Sequence, residues 1–290
     1  MSDTHASYYI PEPSHWPIVG SIALFLIMVG AATLLNGVPL GSALMAAGVL
    51  VLLVMLFGWF STVVNESISG TYNSQVDISF RWGMFWFIFS EVMFFAAFFG
   101  ALFYARVYSL PWLSGEGAGA STNLYLWPDF EVVWPTTANG PETIGGAFEF
   151  MPAWGIPALN TLILLTSGVT VTWAHHGLKA MKRNQLIIGL LLTVLLGFLF
   201  VSLQAYEYIH AYTDLNLTLE SGIYGSTFFM LTGFHGLHVT LGAIMLTVML
   251  LRSIAGHFTP ENHFGFEATA WYWHFVDVVW LGLFVFVYWL

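Results

Sequence analysis

The chain of 290 residues is 58% hydrophobic and 8% charged, whereas a soluble domain carries about 25% charged residues. Its mean hydropathy of +0.76 excludes an ordinary water-soluble domain and predicts an all-α, polytopic membrane protein. The absence of cysteine excludes disulfides and thiolate metal sites. The net charge of −10 comes mostly from acids between the hydrophobic segments, which we interpret as solvated loops, and nucleic acid is not expected as a partner.

Seven hydrophobic segments are long enough to cross a bilayer, since a span needs about 20 mostly apolar residues. They cover approximately residues 16–35, 42–62, 82–108, 156–176, 186–210, 222–252 and 268–290. The Gly/Pro turn NGVPLG joins the first two and predicts a tight helical hairpin. We therefore expect an N-terminal segment and hairpin over 1–62, a cytoplasmic connection over 63–81 and a five-helix bundle over 82–290. The bundle includes a polar connection at 109–155 on the outer side.

The basic residues predict the orientation. One of them, Arg106, lies beside an odd-numbered connection. The other five flank even-numbered connections: Arg81, Lys179, Lys182, Arg183 and Arg252. The positive-inside rule then places the N-terminus in the cytoplasm and the C-terminus outside. Residues 1–15 contain no Lys or Arg, so we expect no cleavable signal and a retained first span.

Two groups of polar residues stand out in the third and fifth spans. Glu91 follows Arg81 by a helical length of ~15 Å, which places it near the middle of the bilayer. Glu91 is either a proton-handling or gating carboxyl, or a neutral acid that hydrogen-bonds a neighbouring helix. Gln204, Glu207 and His210 share one face of their helix, and we interpret them as a polar clamp between helices.

Histidines mark the sixth and seventh spans. The motif TGFHGLHV places His235 and His238 one helical turn apart. They could ligate haem or a metal, but a metal site needs further ligands, and the adjacent glycines favour imidazoles that hydrogen-bond across a close helix contact. The motif HFVD puts His274 and Asp277 at i, i+3, which predicts a mutually satisfied pair that locks helix packing, with a proton-carrying Asp277 as the alternative.

At these residues the chain resembles a known family. The motifs that carry the resemblance are RWGMFWFIFSEVMFF, LNTLILLTSGVTVTWAHH, LQAYEY, GIYGSTFFMLTGFHGLHV and HFGFEATAWYWHFVDVVWL. They are similar to subunit III of cytochrome c oxidase, the haem–copper terminal oxidase. The resemblance implies seven transmembrane helices, in a two-helix and a five-helix group separated by a cleft that binds phospholipid.

The resemblance also implies a function. The complex is an oxidoreductase of aerobic respiratory electron transport that reduces oxygen to water and pumps protons. This chain would be a non-catalytic subunit that binds phospholipid but no cofactor or metal, with haem and copper in partner subunits. The expected partners are subunit I as the main contact, subunit II, other oxidase subunits, membrane phospholipid and, indirectly, cytochrome c. The chain would stabilise subunit I and support oxygen access and proton uptake.

Specific residues acquire roles through this resemblance. Glu91 corresponds to the buried carboxylate of the family that reacts with carbodiimides. The candidates for the lipid cleft are Trp59, Glu66, His238 and Arg252. Arg252 would pair with a phosphate.

Further histidines suggest a proton-collecting surface on the cytoplasmic side of the predicted topology, because imidazoles titrate near neutral pH. They are His175, His176, His257 and His263, together with His5 and His15. The alternative is that they are ordinary surface or interface residues, and the cations near His175 and His176 favour membrane anchoring or lipid headgroup contact.

Three alternatives to the cytochrome c oxidase assignment remain at this point. A ubiquinol oxidase subunit III is the nearest, but that family usually lacks the first two helices, so the HWPIVG span argues for the cytochrome c type. The others are a seven-helix proton or solute transporter and a membrane haem protein. The missing presequence and the extended connection at 109–155 lead us to expect a bacterial inner membrane, with the C-terminus in the periplasm, rather than a mitochondrial one.

Overall fold

The computed structural model describes residues 9, 10, 12–136 and 147–290. His5 therefore lies outside the described residues. The elements are α1 (Trp16–Leu35), α2 (Leu40–Ile68), α3 (Ser74–Tyr104), α4 (Leu110–Leu113), α5 (Ala120–Leu126), α6 (Ile156–Lys179), α7 (Arg183–Thr213), α8 (Gly222–Ile254) and α9 (Phe264–Leu283). Turns of π-helix extend α3 over Ala105–Ser109 and α9 over Phe284–Trp289.

The all-α prediction is confirmed. In the described part of the chain, seven helices are long and apolar enough to cross a membrane: α1, α2, α3 with its extension, α6, α7, α8 and α9 with its extension. They correspond one to one with the seven predicted hydrophobic segments. The chain divides into two compact units, residues 1–82 and 83–290, so the boundary falls within α3.

Most residues of the predicted connection at 63–81 are helical. Helix α2 continues to Ile68 and α3 begins at Ser74, because a helix satisfies its backbone polar groups internally and does not need to end where the apolar side chains end. Between them, the Tyr72 hydroxyl donates a 2.6 Å hydrogen bond to Glu66. Partial burial and this bond raise the pKa of Tyr72, so the phenol keeps the proton that it donates.

Glycines let the backbones of α1 and α2 touch in the first unit. A Cβ atom on Gly30 would lie 2.5 Å from the backbone nitrogen of Met45, and Gly48 faces the backbone of Ile27 in the same way. These pairs run in opposite directions along the two helices, which is the register of an antiparallel hairpin. Small residues at such contacts are the usual means of close helix packing in lipid, where no hydrophobic force drives helices together.

Helix α9 lies at the centre of the second unit and is the most buried of the spans. The ring of Trp273 fits against Gly197 of α7 and Gly242 of α8, while its Nε1 donates a 2.8 Å hydrogen bond to Ser167 of α6. Two helical turns further along α9, Trp280 Nε1 donates a 2.9 Å hydrogen bond to the hydroxyl of Thr161 in α6. These two indoles therefore fix α9 against its neighbours through both packing and hydrogen bonds.

We expect Gly30→Ala to destabilise the hairpin by about 1–3 kcal/mol, because the new methyl group meets backbone atoms that cannot move aside. The matched control is Gly20→Ala in the same helix, where the nearest atom is the flexible end of Met55 at 3.2 Å. Thermal unfolding of the protein in detergent measures the difference. Equal midpoints for the two variants would contradict the proposed backbone contact.

Candidate functional site

A hydrogen-bonded acid–base pair lies in the middle of the second unit. Glu91 of α3 and His238 of α8 meet at 2.9 Å between Oε2 and Nε2. The exposed fractions of the two side chains are 22% and 11%, so the pair is sheltered but not sealed. Helix α3 thereby places a carboxyl directly against the imidazole of a residue on α8.

The second nitrogen of His238 shows how many protons the pair holds. Nδ1 lies 2.6 Å from the carbonyl oxygen of Phe234, and a carbonyl can only accept, so Nδ1 carries a proton. The short contact between Nε2 and Glu91 then requires one further proton between them. The pair is either a carboxylic acid with a neutral imidazole or a carboxylate with an imidazolium, and its chemistry is to hold or move that proton.

Aromatic side chains enclose this pair. The ring of Tyr272 stacks on the His238 ring at 6.3 Å, and its hydroxyl donates to the backbone carbonyl of His238 at 3.3 Å. Phe95 packs edge-on to the same imidazole at 5.1 Å. The low polarity of these neighbours strengthens the Glu91–His238 bond and makes the loss of either partner costly.

The clamp predicted on α7 gains a partner that the sequence did not indicate. Gln204 donates to Glu207 at 3.2 Å, and the hydroxyl of Tyr288, in the π-helical extension of α9, donates to the same carboxylate oxygen at 2.6 Å. Glu207 is fully buried. His210 instead contacts Asp214 at 2.6 Å and is not part of these bonds. The clamp therefore joins α7 to the C-terminal end of the chain.

His235 and His238 bond to different helices. His235 is fully buried, donates from Nε2 to the carbonyl of Val276 in α9 at 3.2 Å, and packs against Trp280. His238 faces Glu91 instead. The two imidazoles do not converge on a common point, so their spacing along the helix does not create a ligand pair.

His274 and Asp277 approach each other without forming a short hydrogen bond. Their nearest atoms, Nδ1 and Oδ2, are 3.6 Å apart, which exceeds the usual hydrogen-bond range. The other ring nitrogen of His274 contacts the Thr172 hydroxyl at 3.2 Å, while the Asp277 carboxylate lies against Gly168. Oδ1 of Asp277 has no hydrogen-bonding partner among the described residues. The helix places the two side chains on one face, but contacts with α6 set their rotamers.

The lipid candidates fall in both compact units. In the first, Trp59 is about half exposed and Glu66 accepts the Tyr72 bond. In the second, His238 is engaged by Glu91, and the Arg252 guanidinium stacks on Phe258 at 4.6 Å. Nε and one terminal nitrogen of Arg252 are buried and have no hydrogen-bonding partner within the described residues.

The surface histidines differ in exposure. His15 and His176 are exposed, His175 and His257 are half-buried, and His263 is buried. A buried imidazole is poorly placed to take protons from water. The proton-collecting surface stays a prediction, and among the four histidines assigned to it His176 is the one with an exposed side chain.

Sequence reasoning missed Tyr272 and Tyr288, although each completes a polar group of the bundle. Both tyrosines lie in the aromatic-rich seventh span, where their hydroxyls are hidden among apolar rings. A buried tyrosine usually hydrogen-bonds through its hydroxyl, and this was the available signal.

The fold and the site define a polytopic α-helical membrane protein in which internal acids bond to groups on other helices. A family model described as "Cytochrome c oxidase subunit III" matches residues 5–116 and 130–290. The chain is 44% identical to cytochrome c oxidase subunit 3 of Gadus morhua and 43% identical to that of Carassius auratus, each over 100% of this chain and 99% of the relative. It is 41% identical to cytochrome c oxidase subunit 3 of Marchantia polymorpha, over 97% and 96%.

This chain belongs to the cytochrome c oxidase subunit III family. Members of this family are subunits of a haem–copper oxidase, an oxidoreductase complex of respiratory electron transport. The partners of this protein are therefore other subunits of that complex. The expected bacterial membrane is wrong. The relatives named above come from fish and a liverwort, and these eukaryotic sources point to the mitochondrial inner membrane.

The shared proton predicts different outcomes for two substitutions of Glu91. Glu91→Gln keeps a donor for Nε2 of His238, so we expect the thermal midpoint of the purified complex to change little. Glu91→Leu leaves Nε2 unpaired and should cost about 1–3 kcal/mol. A wild-type midpoint for the leucine variant would contradict the pairing. Slower oxygen consumption by the glutamine variant at an unchanged midpoint would indicate proton handling, and unchanged oxygen consumption would indicate packing alone.

Tyr288→Phe removes the stronger of the two donors to the buried Glu207 carboxylate. We expect a loss of about 1–3 kcal/mol in unfolding free energy, because the carboxylate cannot recruit water in its place. Tyr206→Phe is the control, because Tyr206 is an exposed residue of α7, the helix that carries Glu207. Unfolding in a denaturant series separates the two, and equal losses would show that the clamp contributes no more than a surface hydroxyl.

Proposed function

We propose that this chain is a subunit without a redox centre of its own, which binds a phospholipid through Arg252 and stabilises the catalytic subunit I by packing. The single observation that carries the lipid-binding proposal is the state of the Arg252 side chain. The stabilising role draws on family membership and on the way the bundle uses its ionisable groups.

Arg252 lies in the last turn of α8, next to one end of the membrane span. Two of its three nitrogens are buried without an acceptor among the described residues. A buried guanidinium without hydrogen bonds is costly, and a phosphate oxygen is the acceptor that its planar donors match best. A phospholipid in one leaflet of the membrane would bring its phosphate to this depth and its acyl chains to the apolar surface below.

The stabilising role is supported by the internal acids. Glu91 and Glu207 each bond to a group on another helix of the second unit and so join α3 to α8 and α7 to α9. Such bonds keep a bundle in one arrangement, which is what a packing subunit needs in order to present a constant surface. The expected oxygen route and proton-collecting surface stay predictions.

Arg252→Gln should reduce the phospholipid that remains with the oxidase after purification in detergent, because the amide carries no charge for the phosphate. Arg252→Lys should retain part of it, since an ammonium still attracts phosphate as a point charge. Phospholipid per haem, measured by mass spectrometry, gives the readout.

The control for this experiment is Lys182→Gln, which removes an exposed cation from the connection between α6 and α7. It should keep the wild-type lipid content. If Arg252→Gln also keeps it, the lipid-binding role of this arginine is wrong, whereas equal losses in both variants would indicate a general charge effect.

A further inference from the structure

A cluster of metal-binding side chain types lies where α6 ends and α9 begins. His175 is in the last turns of α6, His263 precedes α9, and Glu267 is in the first turn of α9. One ligand atom from each lies within 4.8 Å of the other two. In the part of the chain that the structure describes, this is the one group of three such side chains with this spacing.

Hydrogen bonding fixes which nitrogen of His263 faces the cluster. Nδ1 lies 3.2 Å from the carbonyl oxygen of Thr259 and must carry a proton to bond there. In the neutral ring, Nε2 therefore has a free lone pair, and it lies 3.9 Å from the Glu267 carboxylate. A histidine that binds a metal through one nitrogen commonly donates from the other to a backbone carbonyl, so His263 has the orientation of a ligand.

Two buried nitrogens of the cluster have no hydrogen bond. Nε2 of His263 and Nε2 of His175 are both buried and unpartnered among the described residues. Phe266 packs against the His175 ring at 5.3 Å and closes one side of the cluster. Buried polar atoms without partners are costly, and a shared ligand would satisfy both nitrogens at once.

We propose that His175, His263 and Glu267 form a binding site for a divalent transition-metal ion of the zinc type. Two imidazoles and one carboxylate with an open fourth position are a common zinc ligand set. With metal–ligand bonds of about 2.1 Å, tetrahedral ligands are about 3.4 Å apart, so small side chain rotations would bring these atoms to bonding distance. A water molecule would take the fourth position.

The neighbouring charges indicate a site that exchanges its metal. Lys179 lies one turn beyond His175 on α6, and His176 is adjacent to His175 in the chain. Glu267 supplies the negative charge of the ligand set. A nearby cation and a single carboxylate weaken the attraction for a divalent ion, so occupancy should follow the free metal concentration.

The test uses the whole purified oxidase, treated with a chelator and then titrated with Zn²⁺ under equilibrium dialysis with elemental analysis. We expect His175→Gln and Glu267→Gln to weaken one exchangeable zinc site by at least the roughly 10–100-fold that loss of a supporting contact causes. His176→Gln, which alters the exposed neighbour of His175, should bind zinc like the wild type.

Identical zinc binding in all four proteins would overturn the proposal. Glu267→Gln preserves side chain shape, so the test does not depend on the histidine variant assembling. X-ray absorption at the zinc edge gives an independent readout on the wild type, as the difference between the zinc-titrated and the chelator-treated enzyme. The site is supported if the spectrum of the added zinc shows imidazole ligands in the wild type and loses them in Glu267→Gln. It is overturned if the wild-type spectrum shows no imidazole ligands.

Discussion

The cost of leaving a polar group unpaired in lipid is the constraint on which this structure depends. Water is not available in the hydrocarbon region, so each internal donor or acceptor must find its partner within the protein. The bond between Glu91 and His238 meets this requirement for a carboxyl and an imidazole within two spans. Because the imidazole is already committed to the Phe234 carbonyl through Nδ1, a single proton serves both partners. Helix α3, which otherwise contacts the bundle through aromatic rings, gains a directional connection to α8.

The same constraint explains the position of α9. Its two buried tryptophans donate to hydroxyls of α6, and the tyrosine near its end donates to Glu207 of α7. Each hydrogen bond fixes the position of α9 along its neighbour, which packing of apolar side chains alone would not do. Gly197 of α7 and Gly242 of α8 supply the space for the indole ring of Trp273, so residues on two helices accommodate a single side chain. The most buried of the described spans is therefore also hydrogen-bonded to both α6 and α7.

Sites where the constraint is not met are the natural places to look for ligands. Among the described residues, two buried nitrogens of Arg252 and the Nε2 atoms of His175 and His263 have no hydrogen-bonding partner. Both lie at the ends of spans, where lipid headgroups and ions from the aqueous phase can reach them. The phospholipid proposal at the first place rests on the unpaired guanidinium nitrogens of Arg252. The metal proposal at the second rests on the arrangement of side chains alone.

The sequence by itself determined the seven spans and the family, because both depend on local information: the length of each apolar segment and the order of its motifs. It also placed His274 and Asp277 on one face, since helical spacing is local. Only the tertiary structure decided that Glu91 meets His238, 147 positions further along the chain, and that His274 turns towards Thr172. It also decided that α2 and α3 extend through polar residues. Partners of buried polar groups are chosen by which helices become neighbours, and that choice depends on packing along the whole chain.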